Sequence, residues 1–121
     1  LPVNVNSVLG DLIMKVRESK RNIFPVIDEQ GFLKGIILLD DIRQIMFSTE
    51  RYEKDKVSEL MQTPQEIVSV DDSMECVMNK FERTSTWNLP VADSSGRYTG
   101  FVSKSKIFSA YREQLQKVSH E

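Results

Sequence analysis

The chain has one cysteine, one histidine, no long apolar run and no surplus of either charge. A single thiol, Cys76, closes no intramolecular disulfide, and with His120 as the only imidazole there is no zinc-ligand spacing. A reducing cytosol is the expected setting. The longest mostly apolar uncharged stretch, Gly35 to Leu39, falls far short of the roughly 20 residues that a spanning helix needs. With 16 Lys plus Arg against 18 Asp plus Glu, the net charge is −2. That removes the basic surplus on which general nucleic-acid binding depends. The sequence opens on Leu1 without a signal-peptide layout, so it reads as excised from a longer protein.

What the chain does have is 121 residues, 40% of them hydrophobic, enough for a core without disulfides or a structural metal. It also repeats itself. Sliding the sequence by 65 residues superimposes Val3 to Ile42 on the second half without a gap: Val3 meets Val68, Lys15 meets Lys80, Pro25-Val26 meets Pro90-Val91, and Asp28 meets Asp93. Gly31, Gly35 and Ile42 fall on Gly96, Gly100 and Ile107. The division expected is residues 1–55 for the first repeat with its connecting loop and 56–121 for the second.

Each repeat reads as an α/β unit of order β-α-β-β-α. Val8, Leu9, Leu12, Ile13 and Val16 recur on one helix face, as do Met74, Val77, Met78 and Phe81. Asp71-Asp72-Ser73 supplies side-chain oxygens to start the second of these helices. The apolar runs Ile23 to Ile27 and Leu89 to Ala92 end in turn sequences, Asp28 to Gly31 and Asp93 to Gly96, and a second strand follows each. Pro25 and Pro90 place each first hairpin strand at an edge or a strand start. Ile42, Ile45 and Met46, and later Ile107, Ala110, Tyr111 and Leu115, supply closing helices. Ser48 to Asp55 links the halves, and Val57 to Met61 forms a turn of helix too short and charged to bury much. The methionines, Met14 among them, read as core filler.

The segments "FPVID…G…GIILLDDI" and "LPVAD…G…GFVSKSKI", repeated at constant offset over nearly the whole chain, resemble a tandem pair of cystathionine β-synthase (CBS) domains, a Bateman module. That resemblance implies two repeats packed about a pseudo-two-fold axis. The second copy, with "VSELMQTP", "VMNKFERTSTWNLPVAD" and "GRYTGFVSKSKIFSAYREQL", is similar to the cytosolic tail of bacterial ClC-type chloride channels and chloride/proton exchangers. This implies a regulatory or assembly domain at the cytoplasmic face of the inner membrane, modulating anion transport by a membrane domain of the parent. The alternative is an adenine-nucleotide-sensing module of an enzyme or of a free-standing protein. A third is a purely structural dimerisation module.

Catalysis is not expected. Asp40-Asp41 and Asp71-Asp72 are adjacent carboxylates that point in different directions, His120 is at a chain end, and no P-loop or dinucleotide fingerprint occurs. CBS pairs often bind adenine nucleotides through a pattern of Gly, two apolar residues, Ser or Thr, two variable residues and Asp. Here the pattern is split: the first copy keeps Asp41 but has Leu38 in the hydroxyl position, and the second keeps Ser103 but has Lys106 in the carboxylate position. Asp41, Ser103 and Lys106 are therefore the candidate cleft residues, with weak adenine-nucleotide binding or none and no other cofactor. The plain alternatives are a helix-start carboxylate for Asp41, a cap for Ser103, and a solvated charged surface for Lys104 and Lys106. Trp87 stacks on a purine or packs over an apolar seam. The resemblance also implies a homodimer, with Ile13, Val16, Ile45, Met78, Phe81 and Phe108 as candidate contact residues.

Overall fold

The computed structural model describes residues 2–119, with side chains through residue 117, and the chain divides into two compact units between Thr63 and Pro64. The first contains β1 (Val3–Asn4), α1 (Leu9–Glu18), β2 (Ile23–Ile27), β3 (Leu33–Leu38), α2 (Leu39–Ile42), a 3-10 turn (Thr49–Arg51) and α3 (Val57–Leu60). The second contains β4 (Val68–Ser69), α4 (Met74–Thr84), β5 (Asn88–Ala92), β6 (Tyr98–Ser103) and α5 (Lys104–Ser119). Each sheet has three strands, in the orders β1-β2-β3 and β4-β5-β6, with a short parallel strand beside an antiparallel hairpin. His120 lies outside the described residues.

The repeat holds at the level of single bonds. In the first hairpin turn Asp28 Oδ1 accepts the amides of Gln30 (2.9 Å) and Phe32 (3.0 Å). In the second, Asp93 Oδ1 accepts those of Ser95 (3.0 Å) and Arg97 (3.0 Å). Gly31 and Gly96 follow with φ of 88° and 96°, a conformation that glycine adopts without a Cβ penalty. Both hairpins shift register at the same place, between Val26 and Ile27 and between Val91 and Ala92.

These aspartates are acidified. At Asp28 partial desolvation, which alone would raise the pKa, is outweighed by the amides of Phe32 and Gln30 and by Lys34. At Asp93 the Ser95 hydroxyl and then the Arg97 amide hold it down. Asp72 is lowered chiefly by its hydrogen bond from Lys80, then by the Ser69 amide. A carboxylate with a depressed folded-state pKa stabilises the fold fully above its unfolded value, near 3.8, and loses that contribution as pH falls through the folded value. Denaturant midpoints should thus be flat from pH 7 to about 5 and fall below about 4. Asp72→Asn should lower the midpoint at pH 7 and flatten the acid limb; an unchanged acid limb would contradict this.

Several expectations are corrected. Pro25 and Pro90 lie in the central strands β2 and β5, not at edges. The proline is tolerated because β1 and β4 are only two residues long and pair with Val26-Ile27 and Val91-Ala92, so no neighbour seeks the missing amide. The first repeat's closing helix is one turn, Leu39–Ile42, followed by turns that carry Ile45 and Met46 against the core. Met14 is 61% exposed rather than core filler. Ile13 and Phe81, offered as dimer contacts, are enclosed within the cores of their own units.

The connecting segment also does more than its polarity suggests. The carbonyls of Asp55 and Tyr52 accept the Leu9 and Gly10 amides at 2.8 and 2.9 Å, satisfying donors that the first turn of α1 leaves free. Val57, in a segment expected to bury little, is fully buried with Val3, Leu9, Leu12 and Phe24. Gln62 exchanges two backbone hydrogen bonds with Ile36, both 2.9 Å. The compact first unit therefore runs past residue 55 to Thr63, because residues 57–62 form a strap along β3. The second unit's core gathers Val68, Val77, Phe81 and Leu89, with Val91, Val102 and Ile107 packed against it.

Candidate functional site

The three candidate residues sit at two equivalent strand-to-helix junctions. In the first unit β3 passes directly into α2, and Leu38 takes the capping position without offering a side-chain acceptor. Asp41 follows in the first turn, where a carboxylate is favoured by the helix dipole. Its exposed Oδ2 accepts Gln62 Nε2 at 2.8 Å. Asp41 is thus oriented by the strap, a partner 21 residues away that no local pattern announces. Its neighbour Asp40 instead pairs with Arg43 at 2.7 Å, so the two carboxylates face different partners.

In the second unit Ser103 closes β6 and Lys104 begins α5. The Lys106 amide donates to Ser103 Oγ at 3.2 Å, so Ser103 caps the helix while its hydroxyl remains partly accessible. Lys106 is brought to Ser103 through its backbone, and the residue is exposed. The Lys104 amide donates to the Trp87 carbonyl at 2.8 Å, matching the Leu39 amide on the Asn22 carbonyl, also 2.8 Å. Asp41 belongs to the first unit, and Ser103 and Lys106 to the second.

The second junction carries an open depression of about 400 Å³, lined by Trp87, Lys104, Ser105, Phe108, Ser109 and Arg112. Trp87 is 72% exposed, so it packs over no seam. Lys104 Nζ lies 5.2 Å from the Trp87 ring centre and 5.6 Å from that of Phe108. This is cation–π range, which holds the ammonium between two aromatic faces. Among the described residues none of Lys104, Lys106 and Arg112 has a carboxylate partner. Arg112 was not singled out from the sequence; its spacing from Lys104 and Phe108 by whole turns of one helix was the available signal.

Two three-stranded mixed sheets, each with helices, in a chain duplicated at a 65-residue offset, define a tandem α/β module. The CBS domain family matches residues 1–48 and 57–113, and the chain belongs to that family as a tandem pair. A CBS domain-containing protein of Dictyostelium discoideum is 30% identical over 128 residues, covering 96% of this chain and 87% of that protein. Staphylococcus aureus OpuCA superposes with a TM-score of 0.74 at 18% identity, covering 94% of this chain and 95% of that one. CBSX2, solved in complex with AMP, gives 0.74 at 22% identity, with coverage of 93% and 87%. The CBS domain of a bacterial CNNM/CorC family Mg2+ transporter in complex with ATP gives 0.75 at 18%, with coverage of 89% and 75%. At these identities the structural likenesses establish the fold alone. Among the described residues no helix is long and apolar enough to cross a membrane.

Proposed function

We propose that this CBS pair is a regulatory binding module, without catalysis of its own, that senses an adenine nucleotide weakly through its phosphates. The observation that carries the proposal is the pair Lys104 and Arg112, which among the described residues have no carboxylate partner and line the depression beside the exposed Trp87, with Lys106 exposed nearby on the same helix. Charge-assisted hydrogen bonds from such cations favour phosphate. The AMP and ATP complexes of the structural relatives supply the ligand class. Each copy keeps half of the pattern: the first has the Asp41 carboxylate but no hydroxyl at Leu38, and the second has the Ser103 hydroxyl but no acceptor at Lys106. Each unmatched ligand group costs about 1–3 kcal/mol, or roughly five- to a hundred-fold in affinity.

Calorimetry should therefore give dissociation constants weaker than micromolar, with ATP bound more tightly than AMP because it presents more phosphate charge. Lys104→Ala and Lys106→Ala should each weaken ATP several-fold. No heat at millimolar ATP would remove the nucleotide reading. Ser103→Ala is a poorer probe, since losing the cap itself costs about 1 kcal/mol.

A second reading, a regulatory domain on the cytoplasmic face of a ClC-type anion channel or exchanger, rests on the second-copy segments quoted above. We attach to both readings a homodimer formed through the half-buried Val16, Ile45, Met78 and Phe108. Light scattering at micromolar concentration should give twice the 14.0 kDa chain mass, and a monomer would remove the dimer for this chain.

A further inference from the structure

Asp41 differs from the ion-paired carboxylates in what holds it. Asp28, Asp40, Asp55, Glu66 and Asp72 each pair with a lysine or an arginine. Asp41 is held instead by a neutral donor, the side-chain amide of Gln62, at 2.8 Å, and among the described residues its carboxylate has no other partner. A cation would neutralise the carboxylate and compete for its acceptors, whereas an amide leaves the full negative charge in place. A carboxylate offers about four lone-pair positions. Gln62 occupies one of these, on Oδ2, and leaves Oδ1 whole.

The donor is itself fixed. Gln62 gives its backbone amide to the Ile36 carbonyl and receives the Ile36 amide on its own carbonyl, both at 2.9 Å, so its Cα is tied to β3. Asp41, by contrast, stands exposed in a helix of four residues, Leu39–Ile42. A free side chain in such a place loses rotamer freedom when it meets a ligand, and a contact formed beforehand removes that cost from binding. The contact joins residues 21 positions apart, so it comes from the strap and not from the geometry of the helix.

We infer that Gln62 is a positioning residue, which holds the Asp41 carboxylate ready to accept two adjacent hydroxyl donors at the first junction. In an adenine nucleotide those donors are the vicinal hydroxyls of the ribose. One hydrogen bond to each carboxylate oxygen satisfies the pair, and the lone pairs that Gln62 leaves suffice for both. Gln62 touches the carboxylate and need not touch the ligand. This role rests on the nucleotide reading and adds to it a selection for the intact sugar, which cations that bind phosphate do not provide.

The test compares ATP with its dideoxy analogue, which lacks both ribose hydroxyls, on the intact chain. Calorimetry should show ATP bound about tenfold more tightly than dideoxy-ATP. Gln62→Ala should weaken ATP to within about twofold of dideoxy-ATP and leave dideoxy-ATP unchanged. Gln62→Glu, equal in size but without the donor, should erase the same preference. A merely structural effect would weaken both ligands alike and preserve their ratio, which would overturn the inference. So would tighter ATP binding in Gln62→Ala, since Gln62 would then be a competitor for the carboxylate. Nuclear magnetic resonance separates the two junctions: the Gln62 side-chain amide should shift with ATP and not with dideoxy-ATP, whereas the indole N–H of Trp87, the one tryptophan of the chain, should shift with both. A shift of Trp87 alone would overturn the role of Gln62 and leave the nucleotide reading standing; a shift of neither would remove both.

Discussion

Gly35→Val should cost about 3 kcal/mol, at the upper end of the range for overpacking a filled site. The branched side chain would enter a space already held by Met61 Sδ at 2.8 Å and the Gln62 carbonyl oxygen at 3.0 Å. The methionine tip can move; the carbonyl can do so only by giving up the bridge to Ile36. Pairing Gly35→Val with Met61→Ala should therefore recover part of the loss and leave the rest, a coupling that a double-mutant cycle measures. Gly100→Val should be milder, about 1–3 kcal/mol, and for a different reason: its surroundings are open, but its φ of 155° is one that side-chain-bearing residues adopt only under strain. Lys104→Ala should stay within about 1 kcal/mol, the scale of an exposed cation–π contact. Equal denaturation midpoints for Gly35→Val and the parent chain would contradict the strap.

The contrast between these glycines marks how far the sequence was informative. Gly35 and Gly100 occupy the same place in the repeat, and sequence suggests one cause for both, close approach of another backbone. Among the described residues that cause operates at Gly35 and not at Gly100, because the strap bridges Ile36 and nothing stands within 4 Å of the Gly100 Cβ position. Periodicity revealed the hairpins, the Asp turns and the helix faces, since each depends on residues a few positions apart. The strap was hidden because its contacts join residues about 20 to 50 positions apart, Gln62 to Ile36 and Asp41, and Val57 to Leu9. Its polar composition also concealed Val57, whose burial comes from one aliphatic side chain pointing inward.

The candidate site was legible to a similar depth. The split motif falls at two equivalent strand-to-helix junctions, and at the second Ser103 caps α5. What the motif could not supply was the exposure of Trp87 and the placing of the Lys104 ammonium between its ring and that of Phe108. The same indole in a strand-entry position reads from sequence as a packed residue, because nothing in "STWNLPV" distinguishes a ring facing solvent from one facing the sheet.

Phe81→Ala should be the most damaging single truncation in the second unit, costing about 3–5 kcal/mol. Phe81 is fully buried on α4, where it packs with Val68, Val77 and Leu89 beneath β5. Phe24, which occupies the place of Leu89 in the repeat, is the fully buried phenylalanine of the first unit, and it shares its core with Leu9, Leu12, Ile13, Ile37 and Ile42 and with Val57 from the strap. Both deletions remove the same ring, so the transfer contribution is equal; what differs is how much core remains to hold the unit together. Among the described residues no strap residue joins the second core, and Phe101 and Val102 on β6 are only half-buried. Hydrogen exchange read residue by residue should show Phe81→Ala abolishing the slow amides of β5 under conditions where Phe24→Ala leaves measurable protection in β2. Equal loss in the two variants would mean that the strap adds little to the first core, and greater loss with Phe24→Ala would reverse the ranking of the two units.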